Sequence, residues 1–174
     1  THTRNQRERN KPSGRTAEIQ RLVGRSLRTC LDLTQLGQRT LTVDADVIQA
    51  DGGTRVAAIT AASVALYDAV TYLKQEKGLL LNPWQGGVAA VSVGVIEGIP
   101  MLDLDYSEDS TADVDANVVM NDKGQLIECQ ATSEHAPFSR DTFNQLLDLA
   151  ESGIRQIQDL QRQAMQSEKV VLTV

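Results

Sequence analysis

The chain of 174 residues is long enough for one ordinary domain with a hydrophobic core, and its composition is 41% hydrophobic and 3% aromatic. Two cysteines are too few for a disulfide framework or a thiolate zinc site, and so few aromatic residues argue against a surface that grips single-stranded nucleic acid mainly by stacking. The net charge of −6 is uneven, because residues 1–28 carry eight Lys and Arg against two Glu, a net of +6, which leaves −12 for residues 29–174. This asymmetry favours a polyanion held at one end and carboxylate chemistry elsewhere, although a solvated charged tail would have the same composition.

The sequence carries no signal for a membrane span or an export leader. No uninterrupted apolar run approaches the roughly 18 residues that a span needs, and no apolar leader segment opens the chain. Together with the low cysteine count, these features lead us to expect a soluble protein of the cytoplasm.

The N-terminal part is predicted to form an arm, a helix and a strand. Residues 1–14 lack apolar periodicity and end in Pro-Ser-Gly, which is typical of a loop, so we expect a basic arm there. A helix with Thr16 as its N-cap is predicted because the apolar residues that follow recur at helical spacing: Ile19, Leu22, Val23, Leu27, Cys30 and Leu31. Within residues 40–48 a half-buried strand is predicted, because four apolar residues alternate with polar ones: Leu41, Val43, Ala45 and Val47.

The rest of the chain is predicted to form a helix, two hairpins and a long helix. The first of these helices begins at residue 54 and ends with Gly78, and the hairpins turn at residues 97–98 and 122–124. The last helix has Ser139 as its expected N-cap and an inward apolar stripe: Phe143, Leu146, Leu147, Ala150, Ile154 and Ile157. This order predicts an α+β fold in which helices pack on a largely antiparallel sheet. We expect one domain over residues 15–165, followed by a tail at residues 166–174.

One candidate for ligand binding is the stretch "ADGGTRVAA", which joins the predicted strand to the helix that follows. Glycines let backbone N–H groups approach a ligand closely, and a helix N-terminus carries a partial positive charge. Gly53, Thr54 and Arg55 could therefore cradle an oxyanion such as phosphate or sulfate. An ordinary tight turn would have the same sequence, and the spacing is not that of a P-loop.

A second candidate is the acidic stretch around Asp109 and Asp115, which contains four carboxylates within eight positions: Glu108, Asp109, Asp113 and Asp115. Like charges held this close oppose folding unless something cationic lies among them. Oxygen ligands from a loop and the start of a strand suit a hard cation such as Mg²⁺ or Mn²⁺. A calcium EF-hand does not fit, because Val118 and Gly124 stand where that loop needs Gly and Glu. A solvated acidic loop remains the alternative.

The sequence offers no obvious general base. His2 lies in the predicted arm and His135 is expected to be a loop residue, so nucleophilic catalysis by serine or cysteine has no clear partner. A basic arm, an oxyanion cradle and a carboxylate pair are together the components of metal-assisted chemistry on a phosphodiester. Such a reaction without a base would suit a nucleophile that arrives already anionic.

Several long blocks of the chain are similar to a known family: "THTRNQRE", "GRTAEIQRLVGRSLR", "DADVIQADGGTRVAAIT", "NPWQGGVAAVSVG", "LDLDYSEDSTADVDANVVM" and "ECQATSEHAPFSRDTFNQLLDLA". Together they resemble bacterial ribonuclease PH, in unbroken order from Thr1 to about Ile157. The resemblance implies a phosphorolytic 3′-to-5′ exoribonuclease, or tRNA nucleotidyltransferase, that trims tRNA precursors and other RNA 3′ ends with inorganic phosphate and releases nucleoside diphosphates. It also implies the ribonuclease PH fold, without the family's N-terminal strands, and a homo-hexamer built as a trimer of dimers.

The resemblance further implies roles for individual residues. The implied ligands of the attacking phosphate are Arg15, Gly53, Thr54 and Arg55. The implied ligands of a catalytic Mg²⁺ or Mn²⁺ are Asp109 and Asp115, and the implied contacts to the RNA backbone are Arg4 and Arg7. Two other functions stay open: a non-catalytic RNA-binding ring subunit or inactive fragment of the enzyme, and a small phosphate-ester hydrolase.

Overall fold

The computed structural model describes residues 13–135 and 137–167, so almost all of the expected basic arm, including Arg4 and Arg7, lies outside the described residues. The elements in chain order are α1 (Gly14–Arg28), a 3₁₀ turn (Leu33–Gln35), α2 (Thr54–Glu76), β1 (Val88–Ile96), β2 (Ile99–Leu102), α3 (Tyr106–Asp109), β3 (Val114–Asn121), β4 (Leu126–Ser133) and α4 (Arg140–Gln166). The described strands form one antiparallel sheet in the order β2-β1-β3-β4. The predicted α+β fold with a largely antiparallel sheet is confirmed.

Capping side chains set where the helices begin. The Ser13 hydroxyl accepts a hydrogen bond from the backbone N–H of Thr16 at 3.3 Å, so Ser13 caps α1 and the prediction of Thr16 as the cap is wrong. Thr16 instead lies in the first turn, where its N–H is one of the donors that a cap satisfies. For α4 the predicted cap is confirmed, because the Ser139 hydroxyl accepts from the N–H of Thr142 at 3.0 Å.

The prediction of a half-buried strand within residues 40–48 is wrong. Residues 40–47 are assigned no strand, and Val43 and Val47 are 42% and 43% exposed. A strand needs a neighbouring strand to satisfy its N–H and C=O groups, and the described part of the chain places none beside this segment. The segment runs along α2 instead, and the two enclose a cleft of about 820 Å³ whose walls are mostly apolar.

The sheet has a helical layer on each face, because successive side chains of a strand point to opposite sides. On one face, α4 buries Leu146, Ala150 and Ile154 against alternate residues of β1 and β3. On the other face, α1 and α2 bury a second cluster with the intervening strand residues: Leu22, Leu27, Cys30, Val56, Ile59, Ala62, Leu66, Val88, Ala90 and Val119. The face toward α2 also carries the polar residues of the candidate site.

Among the described helices, α2 is long and apolar enough to cross a membrane by length and composition. It packs against β1, α1 and α4. Core helices of folded domains meet the same test; in α2, 33% of the apolar window is buried, and several of its residues line the apolar cleft described above.

Candidate active site

The glycine turn before α2 has the geometry that an anion-binding helix start requires. Gly53 is the N-cap residue of α2, with a left-handed φ of +68° that favours glycine. Gly53 has no side chain that could cap the helix, and its carbonyl accepts hydrogen bonds from the N–H groups of Val56 and Ala57, both at 3.1 Å. The N–H groups of the first turn, at Thr54 and Arg55, and the positive end of the helix dipole therefore point out from the N-terminus of α2.

The same turn is packed directly against the segment that leads into the acidic stretch. An ideal Cβ built on Gly52 would lie 2.0 Å from the carbonyl oxygen of Leu104, so the close approach requires glycine. The Asp51 carboxylate accepts hydrogen bonds from the backbone N–H of Tyr106 at 2.8 Å and from that of Gly52 at 2.9 Å. Two segments that lie about fifty residues apart in sequence are thus fixed to one another.

The acidic stretch, expected to be a loop, contains the one-turn helix α3. Asp105 caps it in a reciprocal capping box with Glu108, and hydrogen bonds from the Glu108 backbone and the Ser107 hydroxyl lower the pKa of Asp105. The N–H of Asp109 bonds the carbonyl of Asp105 at 2.8 Å, which fixes the backbone of Asp109 at the end of the turn. Asp115 follows as the second residue of β3.

Asp109 and Asp115 line one polar cleft of about 400 Å³, together with Ser110, Ala112, Glu134 and His135. Burial raises the pKa of Asp115, the nearby charge of Asp109 raises it further, and the charge of Arg55 acts in the opposite direction. Asp115 therefore lies within electrostatic reach of both its acidic partner and the arginine at the start of α2. Of the predicted cradle, Arg55 is the residue that lies near the carboxylate pair, whereas Thr54 lines the apolar cleft beside α2.

The strand register explains this proximity. Asp115 pairs with Gly94 and Asn117 pairs with Ser92, so these residues lie on the sheet face that is turned toward α2. A Cβ built on Gly53 would be 3.3 Å from the Ser92 hydroxyl oxygen, which shows that the glycine turn lies over this part of β1. Diagonal neighbours on an antiparallel pair are about 7–8 Å apart, and Ser92 and Asp115 are such neighbours.

The two arginines predicted to bind phosphate are Arg55 and Arg15. Arg55, whose side chain is 21% exposed, forms an ion pair with Glu18 of α1 at 3.3 Å. Arg15 lies in the first turn of α1, three residues before Glu18 and on the same helix face. Arg15 is exposed.

Sequence reasoning missed several residues of this site. Asp51 bonds the segment beside the glycine turn, and Glu18 forms the ion pair with Arg55. Glu134 and His135 line the acidic cleft. His135 does lie in a loop, as expected, and its Nδ1 is 3.8 Å from the Asp113 carboxylate. The motif Asp-Tyr-Ser-Glu at residues 105–108 is a capping-box signal that could have revealed α3.

The carboxylate oxygens of this cleft suit a hard divalent cation that keeps some of its water ligands. Residues 13–135 and 137–167 contain no group of three or more His, Cys, Asp or Glu side chains that could enclose a metal ion by themselves. A pair of carboxylates, one of them partly buried with a raised pKa, leaves room for the waters and phosphate oxygens that Mg²⁺ retains. Asp109 and Asp115 therefore fit Mg²⁺ or Mn²⁺ better than a fully protein-ligated ion such as structural zinc.

Three solved structures share the fold at low sequence identity. Rrp46 of rice (Oryza sativa) is 19% identical, with a TM-score of 0.65 over 91% of this chain and 70% of that chain. An archaeal exosome core is 18% identical, with a TM-score of 0.65 over 85% and 64% of the two chains. The exosome of Archaeoglobus fulgidus, solved with RNA bound to its active site, is 19% identical, with a TM-score of 0.67 over 88% and 64%. The chain thus spans 64% of the length of two of these structures and 70% of the third.

Family models match most of the sequence. Residues 1–71 match domain 1 of the 3′ exoribonuclease family, and residues 86–153 match domain 2. The two domains follow in order, and each contains one half of the site, with the glycine turn in the first and the carboxylate pair in the second. The chain belongs to the 3′ exoribonuclease family, whose fold is that of ribonuclease PH.

Proposed function

We propose that this protein is a phosphorolytic 3′-to-5′ exoribonuclease of the ribonuclease PH type, which trims tRNA precursors and other RNA 3′ ends and releases nucleoside diphosphates. One observation carries the proposal: the Asp51 carboxylate, in the glycine turn before α2, accepts a hydrogen bond from the backbone N–H of Tyr106 at 2.8 Å, and Tyr106 begins the one-turn helix that ends at Asp109. An anion-binding helix start and the acidic stretch are therefore held next to one another. Phosphorolysis needs both, because an inorganic anion must attack a phosphodiester that is itself anionic.

The attacking phosphate is held by the backbone of Gly53 and Thr54 and by the side chains of Arg15 and Arg55. The helix N–H groups donate to its oxygens, and a guanidinium can donate two parallel hydrogen bonds. Such contacts offset the charge of the phosphate and fix which oxygen faces the RNA. Glu18 bonds Arg55 at 3.3 Å, which limits the orientations of the Arg55 side chain.

The chemistry is one exchange of bonds at the terminal phosphodiester. An oxygen of hydrogen phosphate forms a bond to the phosphorus of the last link, and the bond from that phosphorus to the 3′ oxygen of the preceding nucleotide breaks. The proton of hydrogen phosphate passes to the leaving 3′ oxygen, which leaves a shortened RNA and a nucleoside diphosphate. Because the nucleophile is already anionic, no histidine base is required.

Asp109 and Asp115 would hold Mg²⁺ or Mn²⁺, which supplies positive charge at the reacting phosphodiester and the leaving oxygen. The raised pKa of Asp115 supports this role, since burial raises it first and the negative charges of Asp109 and Glu134 raise it further, which a bound cation would offset. Arg4 and Arg7 would contact the RNA backbone without reading its sequence. We further propose a homo-hexameric ring, a trimer of dimers, in the cytoplasm.

The test is a product assay with RNA that carries an extended 3′ end. The wild-type protein should release nucleoside diphosphates only when phosphate and Mg²⁺ are both present. Asp115→Asn should lower the rate by about a hundredfold or more while leaving RNA binding intact. Asp113→Asn is the matched control, because Asp113 is 47% exposed beside the cleft and does not line it.

Two outcomes would replace the proposal with one of its alternatives. RNA binding without release of nucleotides under any condition would indicate a non-catalytic RNA-binding ring subunit. Release of nucleoside monophosphates without added phosphate would indicate a hydrolase.

A further inference from the structure

Ser92, in the middle of β1, has a buried hydroxyl group without a hydrogen-bond partner among the described residues. The residue is 3% exposed, and its Oγ atom itself is buried from solvent. Buried polar groups in folded proteins are almost always hydrogen-bonded, because leaving one unpaired is unfavourable. The Ser92 hydroxyl therefore calls for a physical explanation.

The contrast with its neighbours on the same strand face makes the exception clear. Val88 and Ala90 lie two residues apart along β1. The N–H of Val88 donates to the Ser63 hydroxyl of α2 at 3.0 Å, and the N–H of Ala90 donates to the Thr60 hydroxyl of α2 at 3.2 Å. Ser92 is the next residue with this orientation, and its own side chain supplies the hydroxyl. In the part of the chain that the structure describes, the Ser92 hydroxyl, between β1 and the beginning of α2, has no hydrogen-bond partner.

The unpaired hydroxyl points toward the start of α2. A Cβ built on Gly53 would be 3.3 Å from the Ser92 Oγ atom but 4.0 Å from its Cβ, so the oxygen is the nearer atom. Any side chain on Gly53 would crowd the Ser92 hydroxyl, which gives this position a second reason for glycine beside its φ of +68°. On the strand beside Ser92 are Asn117, its direct partner, and Asp115, its diagonal neighbour.

We propose that the Ser92 hydroxyl donates a hydrogen bond to the phosphate held at the N-terminus of α2 and approaches it from the side of the sheet. The inference rests on the proposed function and adds a phosphate-binding residue to it. Phosphate fits this position because its oxygens accept hydrogen bonds, and the Ser92 hydroxyl has no acceptor partner within residues 13–135 and 137–167. In this proposal the helix N–H groups and Arg55 bind phosphate oxygens at the helix start, and Ser92 donates from the strand that lies under the glycine turn.

The test compares Ser92→Ala with the wild type by calorimetric titration of the full chain with inorganic phosphate, without RNA. The variant should bind phosphate about tenfold more weakly, the typical effect of losing one hydrogen bond to a charged group. In phosphorolysis its KM for phosphate should rise, while its KM for RNA should not change. Without phosphate its melting temperature should equal or exceed that of the wild type, because the hydroxyl removed has no protein partner.

Ser63→Ala is the matched control. Its hydroxyl accepts the N–H of Val88, so its loss should lower the melting temperature and leave phosphate affinity unchanged. If Ser92→Ala does not fold, Ser92→Cys keeps the size of the side chain with a much weaker donor, and it should show the same loss of phosphate affinity.

Wild-type phosphate affinity in Ser92→Ala would overturn the inference, and so would a lower melting temperature of this variant without phosphate. If the wild type binds phosphate through Ser92 but releases monophosphates from RNA, the proposed function fails and this inference stands. A wild type that binds no phosphate at all would overturn both.

Discussion

The contact between the glycine turn and the acidic segment can be tested with Gly52→Ala. The new Cβ would lie 2.0 Å from the Leu104 carbonyl oxygen. Carbon and oxygen atoms without a bond between them normally approach to about 3.3 Å, so the two segments must separate by about 1 Å. The φ of Gly52 is not left-handed, so this clash, and not backbone strain, is the cost of alanine.

The separation should affect stability and activity together. Overpacking of this kind lowers the free energy of unfolding by about 1–3 kcal/mol. The hydrogen bond from the N–H of Tyr106 to Asp51, now 2.8 Å, would also lengthen. Because α3 and Asp109 follow directly, the carboxylate pair would shift relative to Arg55, and a 1 Å misplacement can lower the rate by about a hundredfold.

Gly24→Ala provides the control. Gly24 lies inside α1, where a Cβ would meet only the end of the Arg28 side chain at 3.8 Å, so this variant should gain up to about 1 kcal/mol of stability and keep its activity. Urea unfolding measures the free energy, and the release of nucleoside diphosphates measures kcat/KM. A Gly52→Ala protein with wild-type kcat/KM would refute the reasoning, whatever its stability, because the contact would then not be needed to assemble the site.

Three further predictions follow from the polar contacts of the fold. Burial and the charge of Asp109 raise the pKa of Asp115, so without metal the native state holds this proton more tightly than the unfolded chain, and stability falls as pH rises from the ordinary carboxyl pKa through the raised one. Asp115→Asn should therefore melt at a higher temperature than the wild type at neutral pH in EDTA but not at pH below the ordinary carboxyl range; equal melting temperatures at neutral pH would contradict this. Glu18→Gln should change the free energy of unfolding by less than about 1 kcal/mol, because the Glu18 side chain in its ion pair with Arg55 is 49% exposed. It should also lower the KM for phosphate, since Arg55 would no longer share its charge, and a raised KM would count against this role. Gln161→Leu removes hydrogen bonds to two backbone carbonyls at 2.8 and 3.0 Å and should destabilise the fold by about 1–3 kcal/mol without changing kcat/KM. Unchanged urea unfolding would show that those bonds contribute little.

The elements that the sequence predicted well depend on local chemistry. The first hairpin turns at Glu97 and Gly98, whose φ values of +50° and +80° suit a tight two-residue turn, and Gly124 has a φ of +74° in the second. Likewise Ser139 caps α4 through a hydrogen bond to Thr142, which is only three residues away in the sequence. A residue type can report such features because the interaction lies within one turn of the chain.

The features that failed or were missed depend on distant partners. Residues 40–48 alternate like a strand, but alternation cannot supply the neighbouring strand that would satisfy their backbone groups. The residue types of the cradle and the carboxylate pair were recognisable, whereas their meeting depends on the pairing of Gly94 with Asp115 and on the approach of Gly52 to Leu104. Ser92 could have been suspected as the one polar side chain in the apolar run of β1, although only the structure shows that its hydroxyl is unpaired.

The proposed reaction requires that inorganic phosphate, held beside Asp115, attacks the terminal link of an RNA. The fate of the phosphate can be followed by incubating the protein with Mg²⁺, an RNA with an extended 3′ end and ³²P-labelled inorganic phosphate. We expect the label to appear in the β-phosphate of the released nucleoside diphosphates. Unlabelled nucleotides, or an RNA that is bound and never shortened, would contradict it.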